Sequence, residues 1–340
     1  MITMQKLKYL SLTHLSESVL KRLAQNHILT IIDFLQEDVQ KLSTLTKLSL
    51  SEILSVRNEI FTKFSAPLIN GTTLLSRISD TRTVLSTGIL SLDSLLNGGI
   101  PVGYITELCG LAGSGKTQLS LQLAVNCARQ DTNTILYVDT KGDFSAIRIQ
   151  KILDANGYSH KDMAELMYKI RVVHIWTMED LLELFKSVKN ETLDIAHLAL
   201  IIVDSLPCLM MQFIGDENKI GLNLLNTLVN YSRFIGNKFN VGIVYINVQT
   251  RWIDNDILDM EDEQQLSSSA LKEPAYIEKR NRCLGRYWQN IPAVVLLVEK
   301  LEDSPAEKDS TQIKVTVINS NMARNVNSQC MLTLNAFGVT

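Results

Sequence analysis

Gly110, Leu111, Ala112, Gly113, Ser114, Gly115, Lys116 and Thr117 fit the pattern GxxxxGK[ST] without a mismatch. The pattern has a direct physical reading. Glycines let the backbone curl so that successive N–H groups point inward and cradle phosphate oxygens. The helix expected to follow adds the partial positive charge of its N-terminus beneath them. The Lys116 ammonium can reach the β- and γ-phosphates, and the Thr117 hydroxyl can ligand Mg²⁺. ATP and Mg²⁺ are therefore the expected cofactors.

A magnesium shell also calls for a carboxylate at the end of a neighbouring buried strand. The apolar run LALIIVD supplies Asp204, expected to act through a water. A second strand end, ILYVDTKGDF at 135–144, is expected to face the same phosphates. A hydrolysing enzyme would place a carboxylate here to orient and deprotonate the attacking water, but this chain has Lys141. A protonated ammonium cannot be a general base. Asp143 is the candidate replacement, although its offset requires a reshaped turn. Alternatively Lys141 pairs with the γ-phosphate and favours bound ATP over its hydrolysis, or it faces solvent.

These groups need a scaffold, and 340 residues suffice for a full α/β domain and a smaller one. Apolar residues make up 46% and charged residues 20%, as in ordinary globular chains. The net charge of −3 excludes a global basic field, so any nucleic-acid contact must be local. Cys109, Cys127, Cys208, Cys283 and Cys330 show no CxxC and are expected to be reduced, buried thiols. The N-terminus has no uninterrupted apolar core of a signal peptide, and Leu198 to Val203 is far too short to span a bilayer. The expected compartment is nuclear, with a cytoplasmic pool, and no membrane partner is expected. Lys279, Arg280 and Arg282 form a small basic cluster suited to nuclear import or simply to a solvated surface.

Residues 1–64 carry Leu, Ile and Val at helical spacing without Gly or Pro, and predict a bundle of three to four helices. Residues 65–83, with Pro67, Gly71 and several Ser and Thr, read as a linker. Residues 84–340 alternate short apolar runs with amphipathic segments, the pattern of a mostly parallel sheet covered on both faces. The polar, serine-rich stretch from 250 to 280 reads as a long mobile loop.

The lead-in to the glycine loop narrows this further. Thr87-Gly88, Leu92-Asp93 and then LLNGGIPVGYITELCGLAGSGKTQL resemble the RecA-like recombinases of eukaryotes and archaea. Ordinary GxxxxGK[ST] proteins, including kinases and transporter ATPases, lack this lead-in. Within the family the chain most resembles the D-type paralogue of the strand-exchange recombinase. The resemblance is carried by LSTGILSLDSLL, VDSLPCLMMQFIGDENKIGL, the link FSAPLINGTTL, and CLGRYW, where Leu284, Gly285, Arg286 and Trp288 match LGRxW. It implies a RecA-type ATP-binding core with a small all-α N-terminal domain. It also implies a role in homologous recombination and DNA double-strand-break repair. The expected setting is a heteromeric complex with the C-type paralogue and the second X-ray-cross-complementing paralogue. The alternative is a DNA-dependent ATPase recombinase acting directly on single-stranded DNA.

Departures from the family pattern bear on that choice. Active members read DTEG where this chain has Asp139-Thr140-Lys141-Gly142. After VGIVYIN the family places a Gln that senses the γ-phosphate; here Val248 follows Asn247 and Gln249 comes one place late, on the opposite face of an extended strand. The segment Asp254 to Glu263 holds six carboxylates and no Lys or Arg, and should repel DNA. Arg280, Arg282 and Arg286 remain candidate phosphate contacts, and Trp252 either stacks on a base or packs at an interface. In the N-terminal bundle, TLTKLSLSE keeps Lys47 as a candidate DNA contact but lacks the family's glycine turn. Lys6, Lys8, Lys21, Arg22 and Lys47 leave the bundle slightly basic, suited to weak single-strand contact or to partner docking. The self-assembly hook FxxA is represented only by Phe64-Ser65-Ala66, one residue short, so self-filaments are not expected. His174 and His197, beside predicted strands, read as structural.

Overall fold

The computed structural model describes residues 6–65, 68–79, 83–130, 132–213, 219–253, 278–301, 310–321 and 326–340. The chain divides into two compact units, Met1–Arg77 and Ile78–Thr340.

The first unit is helical: α1 (Glu17–Gln25), α2 (Ile31–Gln36), α3 (Val39–Thr46), α4 (Leu50–Phe64) and, beginning within the stretch read as a linker, α5 (Gly71–Ser79). Leu23, Phe34, Leu42, Ile53 and Val56 are fully buried and form its core. Capping boxes Thr30/Asp33 and Ser49/Glu52 fix the starts of α2 and α4 by satisfying otherwise orphaned N–H groups. The helix in the expected linker is a correction. Asn70 Oδ1 accepts from Thr73 N at 2.8 Å, and the run after Gly71 has neither Gly nor Pro to stop a helix. Between α3 and α4 the turn is made without glycine: Lys47 itself takes the left-handed conformation, φ 62°, and its N–H closes on Ser43 O at 2.9 Å. The backbone part of the hairpin is therefore present, and Lys47 stands at its apex. Ala66 lies outside the described residues.

Glu59 staples α4 to the N-terminal segment. Its carboxylate accepts from Lys63 Nζ at 2.8 Å and from Thr13 N at 3.0 Å. The Lys63 bond and those from Thr13 hold its carboxyl at about 2, below the usual 4.5. A depressed carboxyl stabilises the fold above the unfolded value, and that contribution is lost as pH falls from about 4.5 to about 2. Carbon-13 titration of the Glu59 carboxyl should accordingly place its midpoint well below those of exposed glutamates, and added salt should narrow the gap.

The second unit is a three-layer α/β core. Strand β1 (Val84–Leu85) pairs with β2 (Ile100–Pro101), and α6 (Leu90–Leu95) lies between them in sequence. The lead-in residues are structural: Asp93 Oδ1 accepts from Thr87 N and Oγ1, both at 2.7 Å. The central sheet contains β3 (Ile105–Cys109), β4 (Thr134–Asp139), β5 (Ile170–His174), β6 (Leu198–Asp204) and β7 (Gly242–Ile246). It also contains β10 (Val294–Lys300), β11 (Thr311–Ser320), β12 (Gln329–Asn335) and β13 (Gly338–Val339). Its order is β13-β12-β11-β10-β3-β7-β6-β4-β5. The run from β10 to β5 is parallel, and β11 to β13 complete an antiparallel edge.

Helix α7 (Lys116–Ala128) follows β3, is almost wholly buried, and packs with α8 (Ala146–Ala155) and α9 (His160–Lys169) on one side. The other side carries α10 (Met178–Lys189), α11 (Leu206–Met210), α12 (Lys219–Phe239) and α13 (Gly285–Gln289). Burial on both faces is why the strands read as continuous apolar runs.

The expected 250–280 loop is corrected at its ends. β8 (Gln249–Ile253) pairs antiparallel with β9 (Glu278–Arg282), as the β-forming residues Thr250, Trp252 and Ile253 favour. The acidic segment Asp254 to Glu263 lies outside the described residues. Cys109 and Cys127 are buried as expected, whereas Cys283 and Cys330 are half-buried and Cys208 is exposed.

Candidate nucleotide site

Three strand ends, those of β3, β4 and β6, meet at the carboxyl edge of the sheet, where open α/β sheets hold ligands. The glycine loop leaves β3 there. A side chain at Gly110 would put its Cβ 2.2 Å from Val298 O, so the loop can lie this close to β10 only as glycine. Gly115, at φ 97°, turns the chain into α7. The cavity beside it, about 470 Å³, is lined by Ala112, Gly113, Gly115, Lys116, Thr117 and Gln118 from this loop. Lys141, Asp143, Ser205, Cys208, Val248 and Leu334 line it from other elements.

Lys116 Nζ donates to Gly110 O at 2.9 Å, Leu111 O at 2.6 Å and Ser114 Oγ at 3.3 Å, so its ammonium is satisfied by the loop itself. Burial, then the neighbouring Lys141 charge, lower its pKa to about 8. A polyphosphate would offset both effects by supplying negative charge.

Thr117 Oγ1 donates to Asp204 Oδ2 at 2.7 Å, and Tyr137 OH donates to the same oxygen at 3.0 Å. Burial and the Asp204 charge push the phenol well up, which keeps it a donor. Asp204 Oδ1 is buried, and the Lys141 ammonium, its Nζ 3.1 Å away, is the partner it faces. A hydroxyl and a carboxylate are hard oxygen donors that suit Mg²⁺, which takes one or two such groups and completes its shell with water and phosphate. Thr117 and Asp204 are the residues that would hold it. Among the described residues no cluster of His, Cys, Asp and Glu offers another metal site.

The β4 end is rigid. Asp139 accepts four backbone N–H bonds: Oδ1 from Lys141, Gly142 and Asp143 at 2.9 to 3.3 Å, and Oδ2 from Phe144 at 3.0 Å. Burial opposes ionisation of this carboxyl, but the four bonds outweigh it and lower its pKa. His174 Nδ1 lies 3.4 Å from the same carboxylate, a structural placement. Thr140 joins the turn to β6, donating from Oγ1 to Ser205 O and accepting from Ser205 N. Lys141 is thereby aimed inward, 3.1 Å from both Asp143 Oδ2 and Asp204 Oδ1. Burial works against its charge, but the two carboxylates prevail and raise its pKa, so it is an ammonium at neutral pH. Asp143, the candidate base, is engaged in this pair.

The Rad51 family profile matches residues 80–264, more than half the chain and all of this site except Leu334. The chain belongs to the Rad51 family. It is 28% identical to DNA repair protein RAD51 homolog 4 of Bos taurus over 295 residues, 85% of this chain and 84% of that protein. It is 30% identical to DNA repair and recombination protein RadB of Methanosphaera stadtmanae, over 68% of this chain and 86% of that one. The crystal structure of the RadB recombinase superposes with a TM-score of 0.56 at 22% identity, covering 75% of this chain and 98% of that chain.

In this Rad51-family chain the candidate DNA contacts are placed unequally. Arg282 donates to Glu107 Oε2 at 2.8 Å and is spent on that buried carboxylate. Trp288 Nε1 and Asn247 Nδ2 also donate to Glu107, at 3.1 and 2.8 Å. The LGRxW motif thus folds onto the strand that carries the phosphate loop. Arg280 pairs with Glu299 at 3.1 Å, and Arg286 is exposed on α13. Trp252 and Lys279 lie on the β8–β9 ribbon, and their side chains are outside the described residues. Val248 faces the cavity while Gln249 is buried with Oε1 unpartnered, as a one-residue slip requires.

Sequence reasoning missed Gln118, Ser205, Cys208, Ile246 and Leu334 as cavity lining. It also missed Arg148, which donates to Gln118 Oε1 at 2.7 Å and to Asn335 O at 2.7 Å, tying the β12–β13 turn to the rim. Proximity to the motif could have found Gln118; nothing local announces Leu334 or Arg148.

Proposed function

We propose that this chain binds Mg·ATP at Gly110–Thr117 and Asp204 and works as an ATP-holding adaptor in homologous recombination and DNA double-strand-break repair. In this reading it acts in the nucleus, in a heteromeric complex with the C-type and second X-ray-cross-complementing paralogues, and assists the strand-exchange filament. The names of its relatives, a DNA repair protein and a DNA repair and recombination protein, support the pathway. The observation that carries the adaptor role is Lys141: the place of a water-activating carboxylate holds an ammonium locked between Asp143 and Asp204. Holding is favoured over hydrolysis. The exposed Leu50, Leu54 and Phe61, which share one face of α4, support partner docking by the N-terminal bundle.

The test is a nucleotide titration of the purified chain with Mg²⁺, run beside ATP turnover with and without single-stranded DNA. Saturable binding with no turnover is expected. A second reading, a DNA-dependent ATPase, rests on Asp143, whose side chain is 58% exposed at the cavity. DNA-stimulated turnover that disappears in Asp143→Asn would establish it and overturn the adaptor reading.

A further inference from the structure

The phosphate cavity presents two ammonium groups where the glycine-loop motif calls for one: Lys116 and Lys141 both line it. Lys141 is not a stray surface chain. The four N–H bonds on Asp139 fix its backbone, and its side chain is only 28% exposed. Its Nζ stands 3.1 Å from Asp204 Oδ1. Asp204 Oδ2 is already taken by Thr117 and Tyr137, so Oδ1 is the oxygen left for a cation or its water. Lys141 therefore stands where a divalent ion would be anchored.

An ammonium has three N–H donors. The two carboxylates of Asp143 and Asp204 flank it, and because it also lines the cavity it can donate to a phosphate oxygen there. Charge points the same way. A carboxylate at position 141 would make the site two units more negative and dependent on a divalent ion to accept a triphosphate. With lysine there, fixed positive charge already faces the phosphates.

We propose that Lys141 is a built-in cation that takes the divalent ion's station beside Asp204, so that this chain binds a nucleoside triphosphate without requiring Mg²⁺. The inference rests on the reading of the cavity as a nucleotide site and goes beyond it, because that reading expects Mg²⁺ to be needed.

The full-length chain is titrated calorimetrically with ATP, once with excess MgCl₂ and once with excess EDTA. The expected wild-type result is a change in affinity of less than about threefold. Lys141→Met, which keeps the length and loses the charge, should lose about tenfold to a hundredfold in EDTA and recover most of it with MgCl₂, the scale of one charge-assisted phosphate contact. A wild-type affinity that drops tenfold or more in EDTA overturns the inference and leaves the nucleotide-site reading standing. Indifference to EDTA in both wild type and Lys141→Met also overturns it, because Lys141 would not be the cause. No ATP binding by wild type in either buffer sinks this inference and the nucleotide-site reading together. The wild-type comparison decides the first and last cases even if the variant does not fold.

Discussion

Lys116→Ala should lower ATP affinity by about two to four orders of magnitude, the loss of two charge-assisted contacts at roughly 1.5–3 kcal/mol each. In the free chain the ammonium is held by Gly110 O, Leu111 O and Ser114 Oγ, so it waits inside the loop. Its surroundings disfavour the charge, burial first and Lys141 second, and bring its pKa to about 8, so it is still an ammonium at neutral pH. Triphosphate exchanges those loop oxygens for stronger, charged acceptors and relieves the repulsion from Lys141. Alanine removes the exchange altogether, and Lys141 alone cannot replace a group that emerges from the helix N-terminus itself. Calorimetric titration measures the loss. If nucleotide occupancy governs assembly of the proposed complex, co-purification with a paralogue partner in ATP should weaken in parallel. Undiminished assembly of Lys116→Ala would mean that nucleotide does not gate the complex.

Arg282→Ala should destabilise the core unit by about 3 kcal/mol, because removing one partner leaves a buried charge uncompensated. Glu107 is fully buried on β3 and keeps only the neutral donors Asn247 and Trp288 once the guanidinium is gone. Burial already raises the Glu107 carboxyl above its usual 4.5 despite Arg282, and the variant raises it further. The sign follows. A carboxyl whose folded value lies above the unfolded one favours the folded state when protonated. The penalty is therefore small near pH 4.5 and grows as pH rises toward the folded value. Urea unfolding of wild type and variant at pH 5 and pH 8 checks both magnitude and slope. Equal penalties at the two values would show that Glu107 does not carry the effect. The substitution also tests the DNA assignment: Arg282 positions the end of the β8–β9 ribbon, so a loss of DNA binding in this variant would report structure, not a phosphate contact.

Much of this was readable in the residues. LALIIVD, ILYVD and VGIVYIN run apolar because both faces of the sheet are covered, and that alone fixes a parallel core with its ligand edge. Gly110 to Thr117 and Asp204 fall together as expected, since short loops after parallel strands leave them little choice. Lys141 was legible as an oddity, but its pairing with Asp204 was not. That needs the Asp139 turn, whose four bonds depend on a carboxylate at the strand end curling back on its own successors. Arg282 was misjudged for a related reason. A basic residue after a polar stretch looks solvated, and only the register of β8 against β9 turns it toward a carboxylate 175 positions away. Helix α5 was hidden by weighing Pro67 and Gly71 above the Asn70 cap.

The four amides gathered on Asp139 have a consequence for how the site can move. They share one acceptor, so the turn from Lys141 to Phe144 cannot loosen a bond at a time at small cost. Each amide released alone would leave the others' geometry in place and pull it back. Opening the segment should therefore require these bonds to give way together, and Lys141, which lies within it, would move with it. Amide exchange at these four residues should show one shared opening event, and that event would carry the charge facing the phosphates with it.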